Sequence, residues 1–192
     1  MRRLVLVTWL LSGCAVVKAS HVREDYESED KTKVKRVMVL VQPLPDGNQK
    51  VGDSWARIAR RYVNQKRDFI AQADEARADA PTLADVCTGN LEGVLWLKTR
   101  ATKKGDGVEA QVDASLLRCR DGQEVWSASA GGSWGVADSL LVGQAENYGH
   151  DYGAEVVPYV PAAYNLLRPT LDTLPKPTIN SEEQDEKVAA DE

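Results

Sequence analysis

The sequence has no excess of basic charge. Its 192 residues carry 24 lysines and arginines against 29 acids, a net charge of −5. Binding to nucleic acid needs a basic footprint, so that class is excluded. A second long apolar run is also missing: nothing after residue 20 approaches the ~20 apolar residues of a spanning helix. No internal repeat is visible. Histidine occurs twice, as His21 and His150, and cysteine three times, as Cys14, Cys87 and Cys119. Neither CxxC nor HxxxH spacing occurs, while zinc needs about four ligands, so no metal site is expected. No GxSxG elbow is present for a nucleophile. The glycine-rich "SAGGSWG" lacks the GK[ST] ending that holds phosphates, and is expected to end a strand.

The first residues carry more information. Arg2 and Arg3 give a positive start, and Leu4 to Leu11 give an apolar stretch. That is the length of an export signal core, roughly 7–15 residues, and too short to span. Ser12 and Gly13 are small, as a peptidase pocket requires. The order Leu11-Ser12-Gly13-Cys14 resembles the bacterial lipobox. In such precursors the cysteine thiol is acylated and a peptidase cuts before it, here between Gly13 and Cys14. The alternative is a general signal or uncleaved anchor with an incidental cysteine. Stable anchoring takes more than one acyl chain, and a lipoprotein cysteine carries two or three. Ala15 after the cysteine resembles the outer-membrane class of lipoproteins. The resemblance implies a cell-envelope protein, lipid-anchored, facing the periplasm, whose only attached group is the lipid on Cys14.

Composition divides the chain. Residues 1–13 read as a cleaved signal peptide and 14–34 as the lipidated start and a charged tether. "HVREDYESEDKTKVK" has too few apolar groups to offset the entropy of ordering it. Residues 35–174 read as one α/β domain. Val37 to Val41 is a continuous β-branched run, as in a strand buried on both faces. Trp55, Ile58, Ala59 and Tyr62 share one helical face, with Arg57, Arg60 and Arg61 on or beside the opposite one. "DFIAQ" is a short strand, and "DEARADAPTLADVC" a short helix ending near Cys87. "GVLWLKTRAT", "VEAQVDASLLRC" and "EVWSASAGG" read as a three-strand antiparallel meander over 93–132, joined by "KKGDG" and "RDGQ" turns. Val108, Ala110, Val112, Ala114 and Leu116 form its apolar face. The chain then turns helical, with breaks near Pro158 and Pro161. Residues 175–192 read as a disordered acidic tail.

This order predicts an α/β (α+β) sandwich: a mixed sheet of about five strands with helices packed on one face. "KRVMVLVQP" leading into a helix, and "LLRCRDGQEVWSA" as strand, turn and strand, resemble small periplasmic domains. These are the N-terminal domain of TolB, the penicillin-binding-protein activator lipoproteins and the curli secretion lipoprotein. Taken whole, the sequence resembles an uncharacterised family of myxobacterial-type lipoproteins, which implies location more than activity.

With the hairpin turn centred near Gly105, Trp96 falls opposite Ala114 and Leu91 opposite Cys119. Cys87 is a few residues further along. An oxidising periplasm and this spacing favour a Cys87–Cys119 disulfide over two separate buried thiols. His150-Asp151 suggests a dyad, but a polar turn histidine is the simpler reading. The Arg57, Arg60, Arg61, Lys66, Arg67 cluster could meet anionic lipid or glycan as a partner surface, although charge runs usually mark a solvated face. Trp134 is the best candidate for an exposed contact. The expected function is therefore non-enzymatic: an interaction or assembly module with an envelope protein partner. A subunit of an oligomeric outer-membrane secretion pore ranks second, because a pore needs spare hairpins of ~9–11-residue strands. An envelope hydrolase ranks third.

Overall fold

The computed structural model describes residues 16–191. Six strands form one mixed sheet: β1 (Val17–Val22), β2 (Arg36–Val41), β3 (Ile70–Ala76), β4 (Gly93–Lys104), β5 (Gly107–Arg118) and β6 (Glu124–Gly135). Their spatial order is β1-β6-β5-β4-β2-β3. β2 runs parallel to both β3 and β4, while β4, β5, β6 and β1 alternate antiparallel. The fold is α+β, with six strands where about five were expected.

Strand β2 shows why the sheet has two insides at one end. Val37, Val39 and Val41 enter the main core, while Met38 and Leu40 point into a second, smaller cluster. A strand of "RVMVLV" satisfies both faces because every side chain is apolar after Arg36. Over the main face lies the long helix α2 (Gln49–Lys66), capped by the Asn48 side chain, which accepts from the Lys50 and Val51 N–H groups. Its buried stripe is Val51, Trp55, Ile58, Ala59 and Val63. Gly52 lets it come close: a Cβ there would sit 2.7 Å from Leu44 Cδ2 and 2.8 Å from Ala76 Cβ. Helix α5 (Val160–Leu171) packs beside α2 under β5 and β6.

The structure corrects several expectations. The charged segment read as a tether is folded: β1 pairs with β6, and Val16 and Val17 pack on the main core. An edge strand needs few apolar side chains when a neighbour supplies its hydrogen bonds. Helix α1 (Tyr26–Glu29) then buries Tyr26. At the other end the acidic segment forms α6 (Ser181–Asp191), packed on β3 and α2. It is held by Lys35–Glu183, Arg36–Glu186 and Gln72–Glu186 contacts, so complementary charge substitutes for apolar burial. Folded structure therefore extends past residues 35 and 174 in both directions. β3 reaches Ala76 and so takes the first residues of the segment read as a short helix, while the helix itself, α3 (Leu83–Val86), is a single turn ending just before Cys87 as expected. The β4–β5 turn is the two residues Gly105 and Asp106, so Leu97, not Trp96, faces Ala114. β6 runs on through Gly131 and Gly132 to Gly135 instead of stopping at the glycines. α4 (Val142–Tyr152) ends at Gly153, at φ 108°, and the chain re-enters α-helix at Val160. Pro161 lies in the first turn of α5, where its missing N–H costs nothing.

Candidate interaction face

Helices cover one side of the sheet. The other side is covered only in part. Residues 83–91 fold over the outer face of β2, β3 and β4, where Val86, Leu83 and Leu91 close on Met38, Leu40, Val94 and Trp96. The Cys87–Cys119 disulfide, Cα–Cα 5.5 Å, ties this loop to the end of β5. Beyond it no described residue covers the outer face of β1, β6, β5 and β4, where Lys98, Arg100, Glu109, Gln111 and Asp113 are exposed.

Register assembles that face in rows. Ala19 pairs with Ser129, Ser129 with Asp113, and Asp113 with Lys98. One row along, His21 pairs with Ser127, Ser127 with Ser115, and Ser115 with Trp96. His21, Asp113 and Lys98 are exposed, and the three serines are half-buried. Together they line a shallow groove of about 290 Å³. Its charges are partly paired: Arg100 Nη2 lies 3.3 Å from Asp113 Oδ2, and Lys98 Nζ stands 5.5 Å from the centre of the Trp96 ring. Small hydroxyls between charged rims can donate and accept hydrogen bonds to another surface.

At the base of the sheet lies a buried ion pair. Arg118 Nη1 donates to Asp30 Oδ1 at 2.7 Å, and both side chains are removed from solvent. Arg118 also grips Asp121 through Nε at 2.9 Å and Nη2 at 2.6 Å. This hydrogen bonding holds the Asp121 carboxyl down at about 2 and pushes the Arg118 guanidinium further up.

The sites expected from sequence are dispersed. Gly13 and Cys14 lie outside the described residues. Cys87 and Cys119 are joined. Arg57 and Arg60 converge on Asp74 of β3, at 3.4 and 3.0 Å, and Arg60 Nε also donates to the Ala71 carbonyl. They brace the α2–β3 contact and are not a free partner surface. Arg61 is exposed and lines a separate open cleft of about 450 Å³ with Tyr62, Gln144, Tyr164 and Arg168. Trp134 sits on β6, four strands from β3, and is half-buried, with its ring across Gly132. His150 is helical, in the last turn of α4, and 91% exposed, 3.3 Å from Asp151. Among the described residues no group of three or more His, Cys, Asp or Glu could hold a metal ion. Among them, too, no helix is long and apolar enough to cross a membrane. The two rows through Ala19–Ser129 and His21–Ser127 were not legible in the sequence, because the charged composition around His21 reads as a spacer. The polar side of β5, with Asp113 and Ser115, was their visible half.

No family model and no curated protein matches the chain. Solved structures do. PelC from Paraburkholderia phytofirmans, a dodecamer seen in two crystal forms, is 17% identical, with TM-scores of 0.38 and 0.39. The matches cover 72% and 74% of this chain and 89% and 88% of PelC. Uncharacterized lipoprotein B from Nitrosomonas europaea, solved by NMR, is 13% identical with a TM-score of 0.27, over 74% of this chain and 86% of that one. Scores this far below 0.5 carry no functional argument.

Proposed function

We propose that this chain is a lipid-anchored protein of the bacterial cell envelope. Its domain acts without catalysis, docking a protein partner on the bare outer face of β1, β6 and β5. The anchor is the lipid on Cys14, after cleavage behind Gly13, and Ala15 favours the outer membrane. The observation that carries the docking role is the half-covered sheet. One end of the outer face is sealed by the disulfide loop, while the rest presents Ser115, Ser127 and Ser129 between exposed His21, Lys98 and Asp113. The pore reading loses support because the β4–β5 hairpin it would need is paired on both sides into the sheet, β4 to β2 at five register positions and β5 to β6 at eleven.

Two measurements test this. Metabolic labelling with a palmitate analogue is expected to mark the wild type and not Cys14→Ala. Affinity capture from detergent-solubilised envelopes is expected to recover one specific partner, lost in Ser127→Arg/Ser129→Arg. Capture unchanged by that double substitution would move the docking site off this face.

A further inference from the structure

The charged segment after Cys14 was expected to act as a spacer, and the structure removes it. The Val16 carbonyl already accepts a hydrogen bond from Gly131 N–H at 3.0 Å, and Val17 pairs with Ala130. Both valines pack against the main core. Chain geometry allows about 3.8 Å per Cα step, so Cys14 lies within about 8 Å of Val16. That reach is comparable to the headgroup layer on one side of a bilayer, about 5–8 Å. A lipid on Cys14 therefore brings the sheet itself to the membrane.

Register says which end arrives. β1 is antiparallel to β6, so the chain enters from the side toward which β6 runs, from Gly131 to Gly135. At about 3.3 Å per residue, β6 continues roughly 13 Å past the entry point. Its last residues pair with the start of β5: Trp134 with Val108, and Gly135 with Gly107. The same tip carries the β4–β5 turn with Lys103, Lys104 and Asp106, all exposed. Lys104 is paired with Glu109, and Lys103 is exposed. Lys18 stands nearby, its Nζ within 3.1 Å of where a Cβ on Gly131 would be. Tryptophan and lysine are the side chains suited to this depth. The indole is apolar with one polar edge, and the lysine stem can lie along acyl chains while its ammonium stays at the phosphates.

Resting on the lipid-anchor reading above, we infer that the β4–β5 tip and the end of β6, with Lys18, Lys103 and the part of Trp134 left open by its packing on the main core, are seated in the headgroup layer of the anchoring membrane. The bare sheet face then stands at a fixed height and orientation above the bilayer instead of moving on a leash.

The test uses the full chain in a bacterial host that acylates it, with a photoreactive benzophenone amino acid at Lys103 or, at the opposite end of β6, at Glu124. A second pair carries an added insert of about twenty Gly/Ser residues between Ala15 and Val16, which gives a mean reach near 25 Å. Lipid adducts are expected at 103 and not at 124, and the insert is expected to lower the adduct at 103 about tenfold. Palmitate labelling of Cys14 is followed in every sample, and disulfide formation confirms folding. Labelled protein with equal adducts at both positions, or with adducts unchanged by the insert, would overturn the seating while leaving the anchor intact. An unlabelled Cys14 would overturn the anchor, and the seating with it.

Discussion

Asp30 and Arg118 are separated by 88 residues and meet at 2.7 Å with almost no solvent between them and the core. Arg118 is the last residue of β5, on the apolar side of its alternation, where a charge is expensive unless its partners come with it. Asp30 and Asp121 supply them. Asp30→Ala leaves the guanidinium buried with only Asp121 and Gln123 to accept from it, and about 3 kcal/mol of stability is expected to go, read from urea unfolding. Acid acts on the same cluster through Asp121. Its carboxyl is held at about 2 by Arg118, below its ordinary value. That contribution is complete above the unfolded value near 4 and is lost as pH falls toward 2. Little of this cluster was visible in "YESEDK" and "LLRCRDG". The sequence shows charge, and only the fold shows that one aspartate is removed from water. The cysteines were easier, because an oxidising compartment and a small count leave few pairings.

Elements with an apolar pattern were legible, and elements held by backbone or charge were not. β2, α2 and β5 announce themselves by β-branched runs, a helical stripe and strict alternation. β1 and α6 have none of these. β1 is largely exposed along its length and is fixed by pairing to β6. α6 buries Glu183 and Lys187 rather than leucines. It therefore depends on pH in a way the core does not. Hydrogen bonding from Lys35 holds the Glu183 carboxyl below the ordinary glutamate range, and Arg36 does the same for Glu186. A depressed carboxylate stabilises fully above the unfolded value, about 4.3, and progressively less as pH falls through the folded value. Amide exchange followed by mass spectrometry is expected to show 181–190 losing protection below about pH 4, ahead of β4 and β5. Simultaneous loss in both regions would mean that α6 is an integral part of the core.

At the scale of the whole molecule the sheet is asymmetric: helices on one side, and on the other a disulfide loop beside a bare face. The two parts of that outer side should be separable by mutation. The disulfide closes a 32-residue separation over Met38, Leu40 and Val94. Cys87→Ala/Cys119→Ala is expected to cost about 2–4 kcal/mol, because the unfolded chain regains the freedom the crosslink removed. The bare face lies in different rows, through His21, Ser127 and Ser129, whose pairing to β1 and β5 does not involve the loop. Partner capture by the cysteine variant should therefore survive at temperatures where it stays folded. Ser127→Arg/Ser129→Arg should behave in the opposite way. Substitutions at such a surface usually shift stability by no more than about 0.5 kcal/mol, while two added guanidinium groups obstruct a flat groove. Thermal unfolding and affinity capture, measured on both variants, give the crossed pattern if stability and docking are divided this way across the sheet. Loss of capture in the cysteine variant while it is still folded would instead make the disulfide loop part of the docking surface.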